Sequence, residues 1–190
     1  PVWLIWAGAT LSVWNRGWLK PISGSWLIRT TSVNNMTQRL DTELFKSVVA
    51  NTPLISIDLI VRNPQGQILL GQRVNRPAQG YWFVPGGRVR KNERLADAFT
   101  RLVHEELGLT SYSMQDAQFL GPFEHFYTDN FTGEDFSTHY VVLGYQLDID
   151  AIPAQLPHEQ HHSYRWFSVD ELLNSADVHL HTKQYFQNNK

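Results

Sequence analysis

The sequence predicts an α+β sandwich with a mixed β-sheet. Three observations point to it. Short runs of alternating apolar and polar residues recur with turn signals between them, and two stretches carry helical periodicity. The elements also follow one another with hairpin spacing rather than as a regular strand–helix repeat. At 190 residues, 42% hydrophobic and 13% aromatic, the chain has enough apolar material for one well-buried domain and is not of a disordered type.

In chain order, Asp41 is placed to cap a helix running through Leu44, Phe45, Val48 and Val49 and ending before Thr52-Pro53. Leu54 to Arg62 alternates as a strand with Ile55, Ile57, Leu59 and Val61 on one face, which puts Asp58 mid-strand on the other. Asn63-Pro64-Gln65-Gly66 is a turn, and Ile68 to Arg73 returns as a second strand. Tyr81 to Val84 reads as a short strand entering a Pro85-Gly86-Gly87 loop. Leu95 to Leu107 is helical and stops at Gly108, a suitable C-cap. Thr138 to Ile149 is a long strand, Tyr164 to Phe167 a short one, and Val169 to Leu173 opens a helix.

Residues 1–36 differ from the rest. They hold Arg16, Lys20 and Arg29, no acid, and Trp3, Trp6, Trp14, Trp18 and Trp26. The apolar run from Val2 to Trp14 is broken by Gly8, Thr10 and Ser12 and falls short of the ~20 residues of a membrane helix. It also lacks the basic lead of a secretory signal. Residues 1–35 are read as an extension outside the fold, from upstream translation or engineering, with an interfacial anchor as the alternative. Residues 36–190 are then the domain. The formal net charge of -2 gives no case for a nucleic-acid or membrane partner. The absence of cysteine removes disulfides, thiolate–zinc sites and cysteine nucleophiles, and suits a reducing, cytoplasmic setting.

The second helix carries the chemical signal. Leu95, Phe99, Leu102 and Glu106 fall within an arc of about 60° at 100° per residue. A carboxylate on a core stripe is costly to bury without a cation or strong donors, and the C-terminal end of a helix dipole disfavours an anion further. Either a divalent metal compensates Glu106, or the stripe runs out into solvent at its last turn.

Around this helix, Gly87, Glu93, Arg101, Glu105, Glu106 and Gly108 stand at the spacings of the Nudix signature, with Val103 and Leu109 at its aliphatic positions. One position departs: Leu102 stands where a glutamate should follow Arg101. The stretch from Thr52 to Phe167 resembles the GDP-mannose mannosyl hydrolases, the Nudix branch with an imperfect box. The resemblance is carried by the run from Asn75 to Val89, by His125-Phe126-Tyr127, by Thr138 to Gly144, and by Glu159-Gln160-His161 with Tyr164-Arg165-Trp166.

That resemblance implies an α/β/α sandwich around a mixed sheet and an unusual reaction. Water attacks the anomeric carbon of the sugar with inversion, releasing GDP and the free sugar. It further implies one Mg²⁺ per subunit, with Mn²⁺ as a substitute, held by the Gly86 carbonyl, Glu106 and the Gln160 side chain. All three are the hard oxygen donors Mg²⁺ prefers. His161 matches the general base. Arg73, Arg88 and Tyr140 match residues contacting the departing GDP, Asp58 a sugar-facing carboxylate, and His125 a further active-site histidine. A homodimer is also implied. Taken without the resemblance, Glu93 and Arg101 read as a structural pair ordering the box loop. Glu105 is open between an i,i+4 ion pair with Arg101 and a supporting metal role. Two other functions stay open: pyrophosphate cleavage of a nucleotide sugar, and nucleotide-sugar binding without catalysis. GDP-glucose, which differs from GDP-mannose at C2, is a possible second substrate.

Overall fold

The computed structural model describes residues 40–151, 156 and 161–187, the side chains of 161 and 162 excepted. The extension expected over 1–35 and the metal ligand expected at Gln160 lie outside the described residues. In chain order the elements are α1 (Thr42–Asn51), β1 (Leu54–Arg62), β2 (Ile68–Arg73), β3 (Trp82–Phe83), β4 (Gly86–Arg88), α2 (Leu95–Leu107), β5 (Ala117–Tyr127), β6 (Thr138–Asp148), β7 (His161–Phe167), α3 (Val169–Asn174) and α4 (Leu180–Gln187).

The strands form one mixed sheet in the order β3-β2-β1-β6-β5, with β4 also paired to β1 and β7 to β2. β1 and β6 run parallel from Leu54↔Tyr140 to Arg62↔Asp148, and the other pairings are antiparallel. Helices cover both faces. Ile57, Leu59, Val61 and Leu69 pack with Phe99, Leu102, Val103 and Leu107 of α2. On the opposite face Ile60, Ile68 and Leu70 pack with Phe83, Phe167, Leu172 of α3 and Tyr185 of α4. This is the expected sandwich.

Three details differ from expectation. β1 is buried along both faces, Leu54 and Ile60 as fully as Ile57 and Leu59, whereas Ile55 is exposed. A central strand between two helical layers has no solvent face to keep polar. Gly86-Gly87 is not a loop: it forms β4, with Asp58↔Gly86 and Ile57↔Gly87 in register. The final short strand begins at His161 rather than Tyr164, so His161 and His162 lie on β7 and not in a loop. Besides β4, two elements were not anticipated, β5 and α4. β5 contains Gly121 and Pro122 and leaves Phe119 and Phe126 in solvent, so its apolar residues do not mark the faces that its burial shows to alternate from Gly121 to Tyr127. In α4 the buried residues are His181, Thr182 and Tyr185, a polar set that hides the inward face from a hydrophobic pattern.

Candidate active site

The box is built from its ion pairs upward. Arg101 forks onto Glu93 through Nε at 2.6 Å and a terminal nitrogen at 2.9 Å, and donates to the Arg88 carbonyl at 3.0 Å. Glu93 also accepts from the Arg90 backbone amide at 2.8 Å, and these donors hold its carboxyl below the usual range. The pair therefore ties the loop between β4 and α2 to the helix, and with it the backbone of Arg88. Glu105 receives Arg101 at 2.8 Å and Arg90 at 3.3 Å, the ion-pair arrangement expected from its spacing.

Glu106 is buried, 2% exposed, so the stripe does not run out into solvent. Its own backbone carbonyl accepts from the Tyr164 hydroxyl at 3.3 Å. One turn earlier, Leu102 sits in the α2 core. A Cβ on Gly87 would stand 2.7 Å from Leu102 Cδ2, so the glycine lets β4 lie directly against the leucine that replaces the box glutamate. Gly86 is more tightly constrained, because a Cβ there would meet the Ile57 backbone carbonyl at 2.4 Å and Asp58 Oδ1 at 2.9 Å.

A cavity of about 190 Å³ opens beside β4. It is lined by Asp58, Arg73, Gly86, Arg88, His125 and Tyr140, six of the residues singled out from sequence, together with Ser56, Pro77, Phe83, Gly87 and Tyr127. The sheet brings them together: Asp58 pairs with Gly86 and Gly144, and His125 pairs with Tyr140. Arg73 is steadied by donation from Nε to the Pro77 carbonyl at 2.9 Å and lies over the Phe83 ring. Arg88 stacks on Phe45 of α1 at 4.3 Å, and burial lowers its pKa. Glu106 does not line this cavity. His161 is placed by its backbone alone, opposite Arg73 in the β2–β7 register.

Asp58 accepts a 2.7 Å bond from the Tyr185 hydroxyl. Burial nevertheless pushes its carboxyl up to about 7, against the opposing effects of Tyr185 and Arg73. His125 is driven the other way, down to about 3, by burial and by His181 and His179, so its ring is neutral at physiological pH. Tyr127 and Tyr140 are raised by burial and stay protonated. The Asp58 rise has a stability consequence. A carboxyl whose folded pKa lies above its unfolded value contributes stability in acid that is lost as pH rises through the folded pKa. Without Mg²⁺, the parent should lose stability relative to Asp58→Asn between pH 4 and pH 8. The rise from 3.8 to about 7, at about 1.4 kcal/mol per pH unit, makes that difference on the order of 4 kcal/mol. Denaturant titrations of both proteins across this range check it; parallel pH profiles contradict it.

Tyr127, Tyr185, His179 and His181 were not picked out from sequence. His181 and Tyr185 stand four apart, hence on one helical face, and that spacing was the available signal.

A family profile described as NUDIX domain matches residues 52–188. The chain belongs to the Nudix family. It is therefore a Nudix hydrolase, and enzymes of this family generally use divalent metal ions such as Mg²⁺. Among similar proteins, the low-salt glycan biosynthesis protein Agl8 of Haloferax volcanii is 45% identical over 115 residues, spanning 60% of this chain and 70% of that one. A MutT Nudix hydrolase from Burkholderia pseudomallei superposes with a TM-score of 0.57 at 26% identity, covering 73% of this chain and 99% of that one. A MutT protein from Methanosarcina mazei Go1 shares the fold with the same score at 24% identity, over 72% and 92% of the two chains.

The donor set suits a Nudix metal. Glu106 is a buried carboxylate in the box, and the Gly86 carbonyl belongs to the β4 segment that passes the same helix. Both offer hard oxygen. Among the described residues no group of three or more His, Asp or Glu side chains is arranged to hold a metal ion. Leu102 stands in place of one box glutamate, and Glu105 is engaged by two arginines. No helix among the described residues is long and apolar enough to cross a membrane.

Proposed function

We propose that this Nudix hydrolase cleaves GDP-mannose at the anomeric carbon with inversion, releasing GDP and the free sugar, and that GDP-glucose is the alternative substrate to compare. The observation that carries the reading is the cavity, which gathers two guanidiniums, two phenols, a carboxyl and a neutral imidazole beside β4. Carbon–oxygen cleavage demands a stabilised leaving diphosphate more than a metal-activated hydroxide at phosphorus. Arg73 and Arg88 supply forked donors for phosphate oxygens, and Tyr140 is held protonated as a further donor. Leu102 in the core is in keeping with a reduced metal requirement. Agl8's name connects that relative with glycan biosynthesis.

In this reading His161 takes a proton from water as the water oxygen bonds to C1. The C1–O bond breaks on the opposite face, and its electron pair leaves with GDP toward Arg73 and Arg88. Asp58 and His125 face the sugar. Glu106, the Gly86 carbonyl and Gln160 would hold Mg²⁺, whose positive charge would offset that developing on the diphosphate. Glu105 is occupied by Arg101 and Arg90, which counts against a multi-metal pyrophosphate cut. Incubation with GDP-mannose and Mg²⁺ tests the reading: GDP and β-mannose are expected by NMR. GMP with mannose 1-phosphate rejects carbon attack, and tight binding without turnover rejects catalysis.

A further inference from the structure

Tyr185 stands behind the cavity rather than in its lining. It is 5% exposed, and its hydroxyl touches two lining residues, Asp58 Oδ2 at 2.7 Å and His125 Nε2 at 3.3 Å. An ionised Asp58 can only accept, so above its pKa of about 7 the single phenol proton goes to the carboxylate and the Tyr185 oxygen accepts from the imidazole. In that state His125 is the Nε2–H tautomer, and His125, Tyr185 and Asp58 form one directed chain across β5, α4 and β1. The fold makes room for it. A Cβ on Gly144 of β6 would come within 3.2 Å of the Tyr185 ring and 3.0 Å of Phe123, and those two rings meet edge-on at 4.6 Å. His125 is held on its flank by a parallel stack on His181 at 4.2 Å. His181 Nε2 in turn bonds the Phe126 carbonyl at 3.2 Å.

We infer that Tyr185 is a positioning residue that fixes the Asp58 carboxyl and the His125 ring at the floor of the cavity, and so orders the sugar-binding end of the site. The sugar-end role rests on the GDP-mannose reading above; the chain itself does not. Tyr185→Phe removes the hydroxyl and keeps the ring. It should lower kcat for GDP-mannose about tenfold, the scale of opening a buried hydrogen-bond network, with the inhibition constant of GDP unchanged. Because part of its effect runs through the Asp58 carboxyl, Tyr185→Phe should cost less in an Asp58→Asn background than in the parent. A parental kcat, or fully additive losses, overturns the inference.

Nitrogen-15 spectra of labelled histidine give a readout independent of turnover. At a pH well above 7, where Asp58 is ionised, the parent should show His125 as the Nε2–H tautomer with a slowly exchanging ring proton, and Tyr185→Phe should lose that protection. An Nδ1–H tautomer in the parent overturns the chain. If the ring signals behave as expected but the parent does not hydrolyse GDP-mannose, the substrate reading and the sugar-end role fall together while the chain stands.

Discussion

Replacing His161 by glutamine is expected to lower kcat for GDP-mannose by about 10²–10⁴-fold, the usual contribution of a positioned general base, with affinity within a few-fold of the parent. The expectation rests on the resemblance at Glu159-Gln160-His161 and on the backbone register that sets His161 opposite Arg73. Imidazole suits the task because its ordinary pKa of about 6.5 leaves it largely unprotonated at neutral pH. Glutamine keeps the polarity and approximate size but cannot accept a proton from water. Rate and affinity must be separated: single-turnover kinetics give the chemical step, and calorimetry with GDP-mannose under non-turnover conditions gives binding. Parental turnover in the variant would remove His161 as the base and direct attention to Asp58, the carboxyl beside Tyr185.

Glu106→Gln should be comparably severe, with a loss on the order of 10³-fold, equivalent to several kcal/mol of charge stabilisation. The glutamine keeps one oxygen donor and the side-chain volume while removing the charge, so the substitution separates metal holding from packing. Because Glu106 is 2% exposed on the α2 face that packs against the sheet, replacing its charge should not unfold the chain; burying a neutral amide costs less than burying a carboxylate. Mg²⁺ titration by calorimetry in the presence of GDP should show weakened binding in parallel with the rate. Unchanged Mg²⁺ affinity together with unchanged kcat would take Glu106 out of the site.

Most of the fold was legible wherever packing imposes a period. α2 could be read from Phe99, Leu102 and Val103 and from Gly108, which takes the left-handed conformation expected of a C-cap. α1 could be read from Asp41, which accepts from the Leu44 amide. β5 and α4 were not legible for opposite reasons. β5 is an edge strand whose burial alternates from Gly121 to Tyr127, but Gly121 and His125 take inward positions and Phe126 an outward one, so residue type does not reveal the faces. α4 buries a histidine, a threonine and a tyrosine, whose inward placement is justified only by partners far away in the chain, Asp58, His125 and the Phe126 carbonyl. The same division holds in the cavity. Asp58 could be assigned to the face opposite Ile57 from alternation alone. The carboxyl's pKa depends on desolvation by elements that no local pattern foretells.

The bond between Tyr185 and Asp58 joins residues 127 apart, and this separation matters while the chain is being made. Ribosomes add roughly 5–20 residues per second, and N-terminal structure forms first. A nascent chain that has emerged through β6 can lay β1 beside its parallel partner, but Asp58 then lacks the hydroxyl that accompanies it in the finished fold. Such a chain has every strand needed around β4 and still cannot order its cavity floor. The cavity floor is thus completed only once α4 has been made, because α4 brings the hydroxyl that holds Asp58.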